Sequence, residues 1–323
     1  MIRSAIIGLG DIAGVHMPAI LENPLAVLCA GCDIDESRRA VLPDDVPFYK
    51  DYEEMLAKEK PDVVHICLPH YLHYPVAQAV MKHGCAIFAE KPLALNAEEA
   101  LQYAEEAKRY DHPICLCLQN RFNNTSEKMT ELLQSGVYGR ILGLYGNMTW
   151  TRSLAYYQAK PWRASMKLAG GGCMINQAIH TLDLLQYFAQ SPIEQIRGSI
   201  AHLQDFDVEV EDTAHARIRF QNGAVGFFAA TIANYNDHNV EIIVTCEKAE
   251  LILRNKTLFC SQNGQLTELA RDDEAFAGKA CYGNSHAKLI DLFYRSLLGE
   301  PTEAYPTPAD GVVSMQMIDA IRH

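Results

Sequence analysis

The first third of the chain alternates near-continuous apolar runs with helical patterns. The runs are RSAIIGL (3–9), AVLCAGCD (26–33), DVVHICLP (62–69), CAIFAE (85–90) and PICLCLQ (113–119). A strand that is apolar on both faces must be covered on both, as in a parallel sheet with helices above and below. Between the runs lie helical stretches with end signals. DYEEMLAK opens on Asp51 as N-cap, and YPVAQAVMKHG ends on Gly84. NAEEALQYAEEAKRY opens on Asn96 and carries Glu98 and Glu99 in its first turn. This order predicts an α/β, doubly wound sheet, a pattern that other open α/β domains share.

The turn after the first run narrows the choice. Gly8-Leu9-Gly10-Asp11-Ile12-Ala13 fits G-x-G-x-x-G/A, directly after a strand and opening a helix. Gly8 permits the tight turn, Gly10 lets backbone approach a pyrophosphate, and Ala13 lets helix and strand pack closely. Asp11 and Ile12 sit where a helix N-terminus offers N–H groups and positive dipole to an anion. Asp33 ends the second run, 23 residues beyond Gly10, where an acid is expected on the ribose 2′-hydroxyl. Its charge favours NAD over NADP, although Arg38 and Arg39 follow closely and offer compensation for a phosphate. A plain turn residue would equally be an aspartate.

Bulk properties exclude several classes. With 49% hydrophobic and 21% charged residues the chain is ordinary for a globular protein. A net charge of −12 opposes nucleic acid and anionic membrane surfaces. No apolar run approaches the ~18–20 residues of a membrane span, and the N-terminus enters a strand-like run without a signal-peptide pattern. The ten cysteines mostly sit in apolar runs and read as buried free thiols. Cys29 and Cys32 have CxxC spacing, but a strand would point them to opposite faces. A reducing, cytoplasmic setting follows.

Three features together resemble the glucose–fructose oxidoreductase / inositol dehydrogenase / MocA family: Gly8–Ala13, LPHYLH (68–73), and Glu90-Lys91-Pro92. The match continues through Trp162-Arg163, GGGCMINQAIHTLD (170–183) and DTAHARIRFQNGAVGFFAATIA (212–233). The resemblance implies an N-terminal Rossmann domain (1–120) and a C-terminal α+β domain (121–323) with an open, mainly antiparallel sheet. It further implies that Lys91 hydrogen-bonds the reacting hydroxyl beside the nicotinamide, after a cis Lys91–Pro92 bond. A fixed ammonium there stabilises a developing alkoxide. Without the flanking motifs, Lys91 would read as a surface lysine.

A second cluster follows Gly170–Gly172, glycines that allow backbone to approach a ligand closely. Residues 173–188 read as one helix, largely apolar. At 100° per residue, Asn176, His180, Asp183 and Tyr187 fall within about 60° of one another, a narrow polar stripe that demands partners or a function. The resemblance makes His180 the proton acceptor in alcohol oxidation. Many relatives have aspartate four residues before that histidine; here it is Asn176, which orients a hydroxyl but takes no proton. Asp183 either touches substrate or supports His180 and the helix packing. The candidate catalytic set is therefore Lys91, His180, Asn176 and Asp183.

Leu68, Pro69, His70 and His73 follow a strand carboxyl end, where α/β sheets bind ligands, and the family uses such a loop against the cofactor. Glu90 and Asn120 follow two further strand ends, and Asn120-Arg121-Phe122 leads into the second domain. Trp162 and Arg163 resemble a family pair near the nicotinamide. A packing tryptophan and a surface arginine are the plain alternative. His70 and His73 have no third ligand in sight, so no metal is expected. Long alternating runs beyond residue 140, with Asn222-Gly223 as a hairpin signal, form the second sheet. The resemblance implies that a second subunit covers one of its faces, giving homodimers or homotetramers.

The reading is an NAD-dependent oxidoreductase that takes hydride from a secondary hydroxyl of a sugar, sugar derivative or cyclitol. Two other classes share the fold: glycosidases that use NAD and a transient keto-sugar, and non-catalytic dinucleotide sensors.

Overall fold

The computed structural model describes residues 1–272 and 285–323. The chain divides into two units, Met1–Gln119 with Glu274–Val312 as far as described, and Asn120–Asp273 with Val313–His323 likewise.

The first unit contains strands β1 (Ile2–Ile7), β2 (Ala26–Cys32), β3 (Phe48–Tyr49), β4 (Val63–Ile66), β5 (Ala86–Ala89) and β6 (Ile114–Leu116). They form one parallel sheet in the order β3-β2-β1-β4-β5-β6, the strand order of a dinucleotide-binding Rossmann domain. The helices between are α1 (Ala13–Leu21), α2 (Tyr52–Glu59), α3 (His73–Lys82) and α4 (Ala97–Ala107). Their ends obey the expected chemistry. Asp51 accepts from the Glu53 N–H and Asn96 from the Glu99 N–H, each satisfying an orphan first-turn donor. Gly84 adopts φ +72° just beyond α3. Strands β4 and β5 are buried at every position, as two-sided cover requires.

The second unit opens with α5 (Asn124–Ser135) and β7 (Ile141–Thr149), then the short helices α6 (Leu154–Ala159) and α7 (Met166–Ala169), and α8 (Ile179–Ala189). Strands β8 (Ile193–Ala201), β9 (Thr213–Phe220), β10 (Val225–Thr231), β11 (Glu241–Cys246), β12 (Glu250–Arg254), β13 (Thr257–Gln262) and β14 (Gln265–Arg271) complete it. The eight-stranded sheet runs β14-β13-β12-β11-β7-β10-β9-β8 and is antiparallel except where β10 meets β7. Helix α8 packs on β7, and a Cβ on Gly146 would meet the Leu185 side chain at 2.8 Å. Leu182, Leu185 and Phe188 on α8 are fully buried, each contributing about 1.5–3 kcal/mol.

Two late helices follow, α9 (Ser285–Leu297) and α10 (Pro308–Arg322). Helix α9 packs on α1 within the first unit, and α10 enters the second unit at Val313. The nine described cysteines are free and buried, and Cys281 lies outside the described residues.

Two expectations are corrected here. Residues 173–188 are not one uniform helix: Met174–Ala178 form a π-helical turn before α8 begins. A π turn adds a residue to the winding and shifts everything after it in phase, so a constant 100° projection does not hold across Asn176 and His180. Two of the glycines before it, Gly171 and Gly172, make room for protein. A Cβ on Gly172 would lie 1.8 Å from the Glu211 backbone oxygen, and one on Gly171 would lie 1.6 Å from the Arg322 guanidinium.

Candidate active site

In the first unit the site grows from the carboxyl ends of β1, β4 and β5. Gly8 has φ +93°, and a Cβ there would sit 2.5 Å from the Cys67 carbonyl oxygen. Only glycine lets the ends of β1 and β4 approach so closely. The N-cap of α1 is Ile12, whose apolar side chain makes no cap hydrogen bond, and a helix N-terminus suits an anion. Gly10 lies in the turn leading to this helix, and Asp11 is exposed. Asp33 holds the glycine turn: one carboxylate oxygen accepts from the Leu9 N–H at 2.8 Å, the other from the Asp35 N–H at 2.9 Å. A carboxylate retains further lone pairs for a diol. Arg39 donates to the carbonyls of Leu42, Pro43 and Asp44, and Arg38 lies 3.8 Å from Asp35.

Lys91 is half-buried, and its peptide bond to Pro92 is cis, as the resemblance implied. Its turn is held from both sides. The Lys91 N–H donates to Glu90 Oε2 at 3.2 Å. His73 places Nδ1 2.7 Å from the Pro92 carbonyl and Nε2 2.8 Å from that of Leu68. Buried His73 thus spans the Leu68-Pro69 loop and the lysine turn; a neutral ring donates its one N–H to either carbonyl, and only the imidazolium donates to both. Burial lowers its pKa, although the two carbonyls oppose this. His70 is buried too, its ring edge-on to His73 at 5.8 Å.

Glu90 is also buried, 3.0 Å from His16 Nε2 and 3.5 Å from His286 Nε2. Burial opposes its charge, but hydrogen bonds from His16 and His286 hold it well below the usual carboxylate range. Burial alone would lower His16; contacts with Cys67 and Glu90 outweigh it and push His16 up to about 10. His65 is held well below its usual value by burial and by His16. Sequence reasoning passed over His16, His65 and His286, because a histidine in an apolar run carries no local sign of its partners.

In the second unit, Asn176 and His180 are half-buried along the π turn and the start of α8. Gln177 joins them: Nε2 donates to the Tyr156 hydroxyl at 2.8 Å, while Oε1 is buried with no hydrogen-bond partner among the described residues. Asn120 Oδ1 is in the same condition. Asp183 is buried. Its carboxylate takes Arg121 Nε at 2.9 Å and Nη2 at 2.6 Å, both side chains buried, and Arg121 also lies 4.5 Å over the Tyr187 ring. The polar stripe therefore splits, with Asn176 and His180 at one end and a sealed Asp183–Arg121–Tyr187 group at the other.

Buried Glu211 caps the π turn, accepting from the N–H groups of Gly172 at 3.0 Å and Met174 at 3.3 Å, with Arg322 3.6 Å behind it. Neither Glu211 nor Arg322 stands out in the sequence. Arg163 lies 4.3 Å over the Tyr156 ring and 5.7 Å over that of Trp162, so the Trp-Arg pair forms a stacked group with α6. Among the described residues, no helix is long and apolar enough to cross a membrane.

Two family models match, the NAD-binding Rossmann fold of the GFO/IDH/MocA oxidoreductase family over residues 2–116 and the GFO/IDH/MocA C-terminal domain over residues 126–252. The D-glucoside 3-dehydrogenase of Escherichia coli K12 is 25% identical, over 99% of this chain and 94% of its own length. The myo-inositol 2-dehydrogenase of Thermotoga maritima is 26% identical, over 69% of this chain and 66% of its own. The crystal structure of the WlbA dehydrogenase from Bordetella pertussis, in complex with NADH and UDP-GlcNAcA, superposes with a TM-score of 0.84 at 26% identity. That match covers 99% of this chain and 95% of the other.

Proposed function

Because the chain belongs to the GFO/IDH/MocA family of NAD-binding oxidoreductases, we propose that it oxidises a secondary hydroxyl of a sugar, sugar derivative or cyclitol. The observation that carries this reading is the Lys91 turn, braced by Glu90 and His73 at a strand carboxyl end beside the glycine turn. The relatives that act on a glucoside and on inositol support the substrate class. NAD, when bound, supplies the hydride acceptor. The α1 N-terminus and Asp33 fit its pyrophosphate and ribose.

Lys91 donates a hydrogen bond to the reacting oxygen and stabilises the alkoxide as it forms. His180 accepts the hydroxyl proton. Asn176 orients the substrate, and Trp162 and Arg163 belong to the nicotinamide end. Asp183 acts on Arg121 and keeps α8 in place, which makes it a supporting residue. The negative charge of Asp33 favours NAD over NADP. Asp33→Ala raises the KM for NAD about tenfold to a hundredfold, the worth of a charged hydrogen bond, and narrows the gap to NADP. An unchanged ratio of kcat/KM values for the two cofactors would show that Asp33 only shapes the turn.

A second copy of the chain covers the open face of the eight-stranded sheet. Support comes from a row of apolar residues across it, Phe259, Ile252, Ile243, Tyr145 and Phe227, in register from β13 to β10. Phe227 is 43% exposed and its neighbour Val225 57%, more than isolated apolar side chains on a finished surface.

The test is a screen of D-glucosides, free sugars, inositols and nucleotide sugars for NADH formation, beside mass spectrometry of co-purified nucleotide. Turnover of one class is expected. Release of aglycone from aryl glycosides without NADH accumulation would move the chain to the hydrolytic readings. Bound nucleotide with no turnover of any kind would favour a sensor.

A further inference from the structure

Four side chains from four separate segments meet inside the first unit: His16 on α1, Glu90 after β5, Cys117 after β6 and His286 on α9. All four are buried, and their nearest nitrogen, oxygen and sulfur atoms lie within 4.8 Å of one another. Among the described residues this is the one such group. We propose that these residues form a tetrahedral site for a divalent transition metal of the zinc class, independent of the reading given above for the activity.

The donor set is two imidazoles, one thiolate and one carboxylate, which suits zinc and is too soft for magnesium or calcium. Two of the six edges, 3.0 Å from His16 to Glu90 and 3.5 Å from His286 to Glu90, are near the ~3.3 Å ligand-to-ligand distance that zinc–ligand bonds of about 2.0–2.3 Å produce; the remaining edges are no longer than 4.8 Å and would draw in around the ion. Without a metal these groups rest on the His16–Glu90 pair and on Cys117 Sγ donating to Gln119 Oε1 at 3.7 Å; a coordinated cation would take the place of both, releasing the protons of His16 and Cys117.

The surroundings are those of a supported metal site. Metal-bound histidines use their second nitrogen on a fixed partner. His16 Nδ1 lies 3.0 Å from His65 Nδ1, His65 Nε2 lies 2.7 Å from the Tyr294 hydroxyl, and that hydroxyl lies 2.8 Å from Ser4 Oγ. The second oxygen of Glu90 accepts from the Lys91 N–H. A metal on Glu90 would thus tie α1 and α9 to the peptide that carries the lysine.

Protein purified without chelators is analysed by elemental mass spectrometry, then stripped and reloaded with cobalt(II) as a spectroscopic probe. Close to one zinc per chain is expected, with tetrahedral cobalt bands and a thiolate-to-cobalt charge-transfer band. Cys117→Ala removes the charge-transfer band, and both Cys117→Ala and His286→Gln lower zinc content at least tenfold. Circular dichroism shows whether each variant folds; if neither does, the wild-type cobalt spectrum and a zinc-dependent rise in Tm decide. A wild type that holds no metal, shows no thiolate band and melts identically with and without zinc would leave only a metal-free His16–Glu90 pair and overturn the site. Zinc retained in both folded variants would overturn it as well.

Discussion

Replacing Lys91 with alanine lowers kcat for hydroxyl oxidation by about a hundredfold to a thousandfold, the range seen when one preorganised donor to a developing oxyanion is removed. The loss falls mainly on kcat, because the alkoxide charge that the ammonium meets exists in the transition state and not in the bound alcohol. Lys91→Arg does not restore it. A guanidinium is wider, presents a planar fork and cannot take the place of a compact ammonium held by a short turn. The bracing makes the geometry specific: Glu90 holds the Lys91 N–H and His73 the Pro92 carbonyl. Steady-state kinetics on the true substrate provides the check. Wild-type kcat in Lys91→Ala would remove the lysine from the chemistry.

Asp183→Ala destabilises the protein by about 3–5 kcal/mol, because it strands the buried Arg121 charge without its carboxylate. For a unit of this size that is a fall of roughly 6–20 °C in Tm. The double variant Arg121→Met/Asp183→Leu recovers most of the loss, since apolar side chains of similar volume often replace a buried ion pair at little cost. The comparison also fixes what Asp183 does. If its role is to hold α8 through Arg121, the double variant regains turnover along with stability. A double variant that melts like the wild type but has lost its activity would instead put Asp183 on the substrate.

The Rossmann half of the fold is legible in the sequence because its constraints are local. Strands buried on both faces must read as apolar runs, and Asp51 and Asn96 cap helices whose first turns they immediately precede. Gly8 is required by the turn it makes and by the carbonyl of Cys67 beside it. The family motifs pointed to Lys91 and His180 for the same reason: each sits in a short, distinctive string. The second helix was harder. Nothing in MINQA announces a π turn, and Glu211, which caps the N–H groups of Gly172 and Met174 at its start, lies 39 and 37 residues from them. Asp183 looked like a partner for His180 because the two lie three residues apart. Its carboxylate is held by Arg121, 62 residues away in sequence.

By its sequence alone this chain determined its class: a dinucleotide-binding sheet followed by a mainly antiparallel one. The tertiary structure alone decided how the buried polar groups are partnered. It set Glu90 against His16 and His286, and Asp183 against Arg121. The physical reason is range. Periodicity, caps and turns act over a few residues and leave their mark in the string, whereas a buried charge is satisfied by whichever group the fold brings within about 3 Å, from any distance along the chain.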